Sequence, residues 1–234
     1  MTTGIGTLNE GPLHQALKSL YLTENAEQEV PVGSFVADVR AEDDVLYEIQ
    51  TGSFAPLKRK LATLVEQHRV VLVHPIAAVR YIVKMPAEGP EVDLPVTRRK
   101  SPKRGSVANV VEVLVSIPHL LDHPNFEVEV VLIEEEEVRA YDPARVRRRG
   151  GWRVVSRRLT DVLEQRRIGS GADLFSLVPG PLPEEFTTAD LALAMDKPRW
   201  LAQKLAYCLR EAGAVSITGK TGNALRYRRV GSFG

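Results

Sequence analysis

Residues 34–50 read SFVADVRAEDDVLYEIQ, and this stretch decides the fold. Two runs of alternating apolar and polar residues, Ser34 to Arg40 and Val45 to Gln50, flank the polar segment AEDD. They predict two strands joined by a tight turn. With the turn centred near Asp43, the register sets Asp38 opposite Glu48, and both carboxylates share one face of the hairpin.

This predicted pair of acids suits a metal ion. Opposed strand residues have Cβ atoms about 4.5–5.5 Å apart, and two carboxylates that close repel unless a cation or a proton lies between them. Hard oxygen donors suit Mg²⁺ or Mn²⁺. We therefore predict a divalent metal bound by Asp38 and Glu48, with Gln50 on the same face. The alternative is that Asp38 protects a sheet edge and Glu48 is solvated.

The flanking segments supply helices and further strands. Apolar residues at helical spacing predict one helix from Leu8 or Asn9 to Tyr21, with Glu10 in its first turn. Another helix is predicted from Ala55 to Gln67, with Lys58, Arg59 and Lys60 mostly outward. An edge strand at Glu29 to Val32 and a buried central strand at Arg69 to His74 complete this part.

The order of these elements resembles that of the PD-(D/E)xK nuclease superfamily. It is a helix, a strand with Asp38, a strand with Glu48-Ile49-Gln50, a second helix and a buried strand. The resemblance covers roughly residues 5–80 and implies a restriction-endonuclease-like α/β fold, a mixed sheet flanked by helices. It also implies catalytic roles for Asp38, Glu48 and Gln50, with Glu10 as the helix acid, in cutting a phosphodiester with metal-activated water. Gln50 stands where the family usually has Lys, which weakens the enzyme interpretation without removing it.

The middle of the chain is less informative. Met85 to Pro102 is rich in proline and charge and predicts an exposed loop, which leads into the cations of Arg98 to Arg104. Ser106 to Leu121 predicts a helix. Phe126 to Leu132 alternates with acids and predicts a half-buried strand, and Glu134 to Glu137 is interpreted as its solvated end.

The C-terminal segment has its own pattern. Thr187 or Thr188 can cap a helix that ends at Met195, and Pro198 to Ala212 predicts a second helix. The residues after Gly213 predict a β-hairpin. This order resembles the winged-helix family over about residues 187–230, which implies that the second helix enters the DNA major groove and the hairpin contacts phosphate. Leu159 to Ile168 is the candidate for the first helix.

Charge is unevenly distributed along the chain. Residues 1–137 carry 13 Lys and Arg against 21 Asp and Glu, whereas residues 138–234 carry 18 against 9. A basic C-terminal part favours contact with a polyanion, and duplex DNA is the predicted partner. The candidate contacts with nucleic acid are Arg145, Arg147, Arg148, Arg149, Lys197, Arg199, Lys204, Lys220, Arg226 and Arg228.

Composition narrows the class of protein. The single cysteine, Cys208, cannot form an intramolecular disulfide, so the chain is expected to be cytoplasmic. No segment reads as a membrane span. We predict two domains, a nuclease-like domain over residues 1–145 and a winged-helix domain with a basic lead-in over 146–234.

Two functional hypotheses remain open. The first is a metal-dependent DNA endonuclease or nuclease-fold DNA-processing protein that binds DNA through its winged helix. The second is a non-catalytic winged-helix regulator whose nuclease-like domain is a scaffold or a homodimerisation module. RNA as the partner also stays open.

Overall fold

The computed structural model describes residues 11–85, 95–146 and 148–231, with the side chains of Arg148 and Arg149 left out. These residues form a mixed α/β architecture, in which a seven-stranded sheet precedes a smaller unit with a three-stranded sheet. The helices are α1 (Pro12–Ser19), α2 (Lys58–Leu64), α3 (Val111–Leu114), α4 (Gly171–Phe175), α5 (Thr188–Met195) and α6 (Arg199–Glu211). The strands are β1 (Glu27–Val32), β2 (Phe35–Arg40), β3 (Leu46–Ile49), β4 (Val70–Met85), β5 (Thr97–Lys100), β6 (Phe126–Tyr141), β7 (Trp152–Ile168), β8 (Glu185–Phe186), β9 (Val215–Thr221) and β10 (Ala224–Arg229).

The large sheet has the order β1-β2-β3-β4-β6-β7, and β5 pairs with β4. β4 lies in the middle and runs parallel to both β3 and β6, whereas the other neighbours are antiparallel. A parallel pair needs a crossover connection. The crossover from β3 to β4 contains α2, and the crossover from β4 to β6 contains α3. Both helices therefore lie in connections that the parallel pairing requires.

The two faces of the large sheet bury different helices. Val71 and Val73 of β4 pack with Leu13 and Leu17 of α1 on one face. Val70 and Leu72, which alternate with them, belong to the cluster that contains α2 and α3 on the other face. β4 is therefore apolar on both faces, as predicted for a central strand, although it extends well beyond His74 to Met85.

The C-terminal unit is built from α4, β8, α5, α6 and the β9–β10 hairpin. Thr187 caps α5 in a reciprocal arrangement with Asp190, and Asp196 ends that helix in a left-handed conformation. Apolar residues of α6, such as Leu205, belong to the same cluster as Leu61 and Leu114 of the sheet unit. The two units therefore share one continuous core.

Three predicted helices differ from the structure. Leu159 to Ile168 is not a helix but part of β7, which pairs with β6 from Tyr141 to Val128, and this hydrogen-bonded ladder outweighs the local helical pattern. The span from Ser106 to Leu121 is not one helix, because Pro118 lacks the N–H that a continuous helix requires. The first helix begins at Pro12, not near Leu8, with Gly11 as its extended N-cap residue.

The strand at residues 152–168, assigned above to the lead-in of the second domain, is thus the edge strand of the large sheet. No helix within the described ranges combines the length and apolar character needed to cross a membrane.

Candidate functional site

Asp38 and Glu48 meet where β2 and β3 separate. The two strands pair only at Val39–Tyr47 and Arg40–Leu46, which is the predicted register. One step further along, Oδ2 of Asp38 accepts a hydrogen bond from the backbone N–H of Ile49 at 2.7 Å. The Asp38 carboxylate thus takes a donor that a longer ladder would have used, and this fixes its orientation beside β3.

Asp38 also lies against α1. Nε2 of His14 is 3.5 Å from Oδ2 of Asp38. Burial raises the pKa of Asp38, but hydrogen bonds from His14 and from the Ile49 N–H outweigh burial and hold that pKa below its ordinary value. Asp38 is therefore ionised at neutral pH.

Glu48 is almost completely buried, with 2% of its surface exposed. Its Oε2 accepts a hydrogen bond from Nζ of Lys60 at 2.6 Å, and the same ammonium donates to the carbonyl oxygen of Val36 at 2.6 Å. The other carboxylate oxygen, Oε1, is buried without a hydrogen-bond partner in the described part of the chain. A buried acceptor without a donor is costly, so this oxygen is suited to a cation or a proton.

The protonation of Glu48 reflects this incomplete pairing. Burial raises its pKa to about 7, and the negative charge of Asp38 acts in the same direction against the lowering effect of Lys60. Glu48 thus titrates near neutral pH, which is unusual for a carboxyl group and typical of functional sites.

Gln50, predicted at the position of the family's lysine, does not supply a contact to these acids. Its side-chain Nε2 donates to the backbone carbonyl oxygen of Ser53 at 2.7 Å. The backbone carbonyl oxygen of Gln50 accepts a hydrogen bond from Nδ1 of His74 at 2.6 Å. Burial lowers the pKa of His74, which keeps the imidazole neutral. Gln50 therefore shapes the turn after β3.

The cation beside the acids comes from α2 instead. Lys60 was predicted to point mostly outward with Lys58 and Arg59, and this was wrong, because its side chain is only 16% exposed. His14 was also missed. Their signals in the sequence are weak, because three consecutive cations on a short helix do not reveal which one turns inward.

Two predicted site residues, Glu10 and Arg147, lie outside the described residues. Within the described ranges no group of three or more His, Cys, Asp or Glu side chains is arranged to hold a metal ion. Asp38 and Glu48 therefore provide two acidic side chains, and the buried Oε1 of Glu48 fits a hard cation such as Mg²⁺ or Mn²⁺.

Several predicted nucleic-acid contacts are already neutralised by acids. In the hairpin, Arg226 pairs with Glu185 at 3.0 Å, and Arg228 pairs with Glu185 at 3.0 Å and Glu184 at 3.6 Å. Arg145 lies 3.8 Å from Asp142. These ion pairs lower the net positive charge that the hairpin offers to phosphate.

The remaining candidates differ in exposure. Arg199 and Lys220 are exposed, whereas Lys197 and Lys204 are half-buried. Arg148 and Arg149 lie in the turn Arg148–Gly151, and the structure does not describe their side chains. Arg199 and Lys220 are thus the exposed members of this remaining group.

Comparison with known proteins places the sheet unit in a family. A family model described as "Domain of unknown function (DUF8091)" matches residues 11–169, more than half of the chain. The chain belongs to the DUF8091 family. The DUF8091 match contains α1 to α3 and β1 to β7, and therefore the whole Asp38–Glu48–Lys60 site.

A relative extends this similarity. An uncharacterized protein of Treponema pallidum (strain Nichols) is 31% identical over 188 residues, which are 80% of this chain and 73% of that protein. The alignment spans 188 residues, more than the 169 residues that lie before the end of the DUF8091 match. The similarity therefore continues into the C-terminal unit. No solved structure matches the chain.

Proposed function

We propose that this DUF8091 protein is a metal-dependent DNA endonuclease that hydrolyses phosphodiester bonds, with Asp38 and Glu48 in its catalytic site. The observation that carries the proposal is the proximity of two carboxylates from adjacent strands, the half-buried Asp38 and the buried Glu48, with the ammonium of Lys60 bound to Glu48. The raised pKa of Glu48 and its unpartnered Oε1 support a group held ready for a cation.

Each side chain has a distinct role in this proposal. Asp38 and Glu48 would hold Mg²⁺ or Mn²⁺, which when bound supplies water of lowered pKa and neutralises phosphate charge. His14 and the N–H of Ile49 orient the Asp38 carboxylate. Lys60 holds Glu48 in place and provides positive charge for the negative charge that develops on the phosphate.

The C-terminal unit supports contact with DNA. Its element order, α4, β8, α5, α6, β9 and β10, resembles that of a winged helix, with α4 proposed as the first helix. Exposed residues along α6, namely Arg199, Gln203, Tyr207 and Arg210, share one side of that helix. This face is free to approach a groove of DNA, while the opposite face is buried.

A second function is favoured by one observation. Because Lys60 already pairs with Glu48, and the described residues hold no three-ligand metal group, the site resembles a balanced ion pair as well as an enzyme centre. A non-catalytic winged-helix regulator with the sheet unit as its scaffold is the alternative.

Cleavage by neutral, isosteric variants tests the proposal. Asp38→Asn and Glu48→Gln should remove Mg²⁺- or Mn²⁺-dependent cutting of plasmid, branched and single-stranded DNA, because each deletes an anionic ligand without opening a cavity. Asp43→Asn is the matched control, since Asp43 is an exposed acid in the turn between the same two strands. Circular dichroism checks that all three variants fold.

Two results would contradict the enzyme assignment. Wild-type protein that cuts none of these substrates with either metal would favour the regulator. Cutting by Asp38→Asn at the wild-type rate would move the active centre away from these strands.

A further inference from the structure

A basic groove lies between the large sheet and the N-terminal end of α6. One cavity of about 760 Å³ is lined by residues of the turn after β3, the middle of β4, the segment 103–105 and Trp200. A second cavity of about 380 Å³ adjoins it and shares Arg80, Lys103 and Arg157 with the first. We define the basic groove by its cations: Arg80, Arg99, Lys103, Arg104, Arg139 and Arg157.

Buried acids hold part of this cationic surface in place. Arg80 binds Glu135 at 2.6 Å and approaches Glu137 at 3.5 Å, while Arg157 lies 3.7 Å from Glu137. Arg139 pairs with the other oxygen of Glu137 at 2.5 Å. The interpretation of Glu134 to Glu137 as a solvated strand end was therefore wrong, because Glu135 and Glu137 point into an arginine cluster.

The acids do not balance the cations. Glu112 and Glu137 are the only acids among the described residues that line either cavity, against six cations. In the part of the chain that the structure describes, Arg99, Lys103 and Arg104 have no ion-pair partner. An excess of positive charge in a concave surface attracts a polyanion.

The segment that carries two of these cations is fixed to β4 at both ends. The N–H of Ser101 donates to the carbonyl oxygen of Arg80 at 2.7 Å, and the N–H of Gly105 donates to that of Ala77 at 2.9 Å. A Cβ added at Gly105 would come within 2.5 Å of the Ile76 side chain, so only glycine allows this close approach. Lys103 and Arg104 are thus held at the rim of the groove.

Trp200 gives the groove a stacking surface. It is 46% exposed, although tryptophan is normally well covered, and it lines the cavity beside the cations. Bases within a duplex are stacked on each other and are not available to a side chain, whereas unpaired bases stack on aromatic rings. A cationic groove with a tryptophan in its wall therefore favours a single strand over a duplex.

We infer that the basic groove binds a single-stranded segment of polynucleotide, with phosphates on Lys103 and Arg104 and a base stacked on Trp200. This inference rests on the proposed nuclease function for its biological meaning. The groove wall at Thr51 to Ser53 directly follows Gln50, so this wall continues the chain of the strand that carries Glu48. The groove would make a single-stranded or locally opened DNA the substrate class.

Binding is measured on the full chain in EDTA, where no metal-dependent cleavage occurs. Fluorescence anisotropy with labelled oligo(dT), oligo(U) and duplex DNA of about 20 nucleotides or base pairs covers a groove of this type. Trp200→Ala should weaken oligo(dT) binding at least about fivefold, the lower range for loss of one stacked base, and change duplex binding little. Leu20→Ala is the control, because Leu20 has the same exposed fraction as Trp200, 46%, and lies in the sheet unit outside the groove.

Charge reversal provides the second arm. Arg104→Glu should weaken oligo(dT) binding and flatten its salt dependence, because a phosphate contact is lost. Arg69→Glu is the matched control, since Arg69 is an exposed arginine before the start of β4 and outside the groove. Quenching of tryptophan fluorescence by oligo(dT) should persist in Trp152→Phe and disappear in Trp200→Phe.

The outcomes separate this inference from the proposed function. If Trp200→Ala and Arg104→Glu bind oligo(dT) as their controls do, the groove inference is wrong, even when Asp38 and Glu48 are needed for cleavage. Groove-dependent binding by wild-type protein that never cleaves supports the inference and refutes the nuclease. Tight binding of oligo(U) but not oligo(dT) would identify the strand as RNA.

Discussion

Glu48 and Glu137 are buried to the same degree in one sheet, at 2% and 3% exposed, yet their surroundings drive their protonation in opposite directions. Burial raises the pKa of Glu48 to about 7, because one lysine does not compensate for burial and for Asp38. Burial also raises the pKa of Glu137, but Arg139, Arg80 and Arg157 together bring it below its ordinary value. The charges differ because Glu48 is more strongly desolvated and has one adjacent lysine, whereas Glu137 has three adjacent arginines.

This difference gives the two regions opposite affinities. The surroundings of Glu48 have too little positive charge, which favours an added cation. The surroundings of Glu137 have an excess, which favours an added anion. A nuclease needs both kinds of site, one for metal and one for the nucleic-acid backbone.

The largest expected effect tests the arginine cluster. Glu137→Gln should lower the free energy of unfolding at pH 8 by about 2–3 kcal/mol, because three partly buried guanidinium groups lose their anion. Urea unfolding measures it. Glu136→Gln, on the same strand but paired only with the exposed Arg98, is the control and should change stability by less than about 1 kcal/mol. An equal loss in both variants would mean that Glu137 does not organise the cluster.

An effect of similar size, which appears only as the pH rises, is expected at Glu48. Its carboxyl binds the proton more tightly in the folded state, with a pKa of about 7 against an ordinary 4.5. The stabilising contribution of protonation is therefore fully present below pH 4.5 and is lost as the pH rises through about 7. Relative to wild type, Glu48→Gln should gain roughly 2–3 kcal/mol over this range.

Unfolding of both proteins in urea at several pH values checks this gain. Because all other titrating groups are shared, the difference between the two proteins isolates Glu48. A difference that does not vary with pH would show that Lys60 fully compensates the carboxylate and that the site is a balanced ion pair.

The smallest effect concerns Gln50. Gln50→Leu should lower the free energy of unfolding by about 1 kcal/mol, the usual cost of losing one hydrogen bond, here the bond to Ser53. The affinity for Mn²⁺, measured by calorimetry, should be unchanged, because the Gln50 amide points into the turn. A large loss of Mn²⁺ affinity would show that Gln50 is a metal ligand. It would also contradict the view that Lys60, and not residue 50, is the side chain that acts beside the two acids.

The sequence predicted local pairing well and long-range contacts poorly. The register of β2 and β3 followed from the alternation on either side of a short turn, because strand side chains have a period of two. Lys60 could not be assigned in this way, since its partner Glu48 comes from a strand 12 residues earlier. Glu135 and Glu137 were misread for the same reason, because Arg80 and Arg157 come from β4 and β7.

Local propensity also failed where a long ladder decided the structure. The segment from Leu159 to Ile168 has apolar residues at a spacing compatible with a helix, but its backbone groups are used by β6. Almost all side chains of the edge strand β7 are exposed or half-buried, so this strand does not require regular apolar alternation. The corresponding first helix of the C-terminal unit, α4, is too short to give a periodic signal.

The shared core determines how the chain unfolds on either side of the boundary of the DUF8091 match. The match ends at residue 169, yet Leu205 and Leu209 of α6 belong to one apolar cluster with Leu61 and Leu114. The limit of a family in sequence is therefore not a limit of cooperative unfolding in this chain. Heat should melt both units in a single transition, and a fragment cut at residue 169 would carry a large uncovered apolar surface and aggregate.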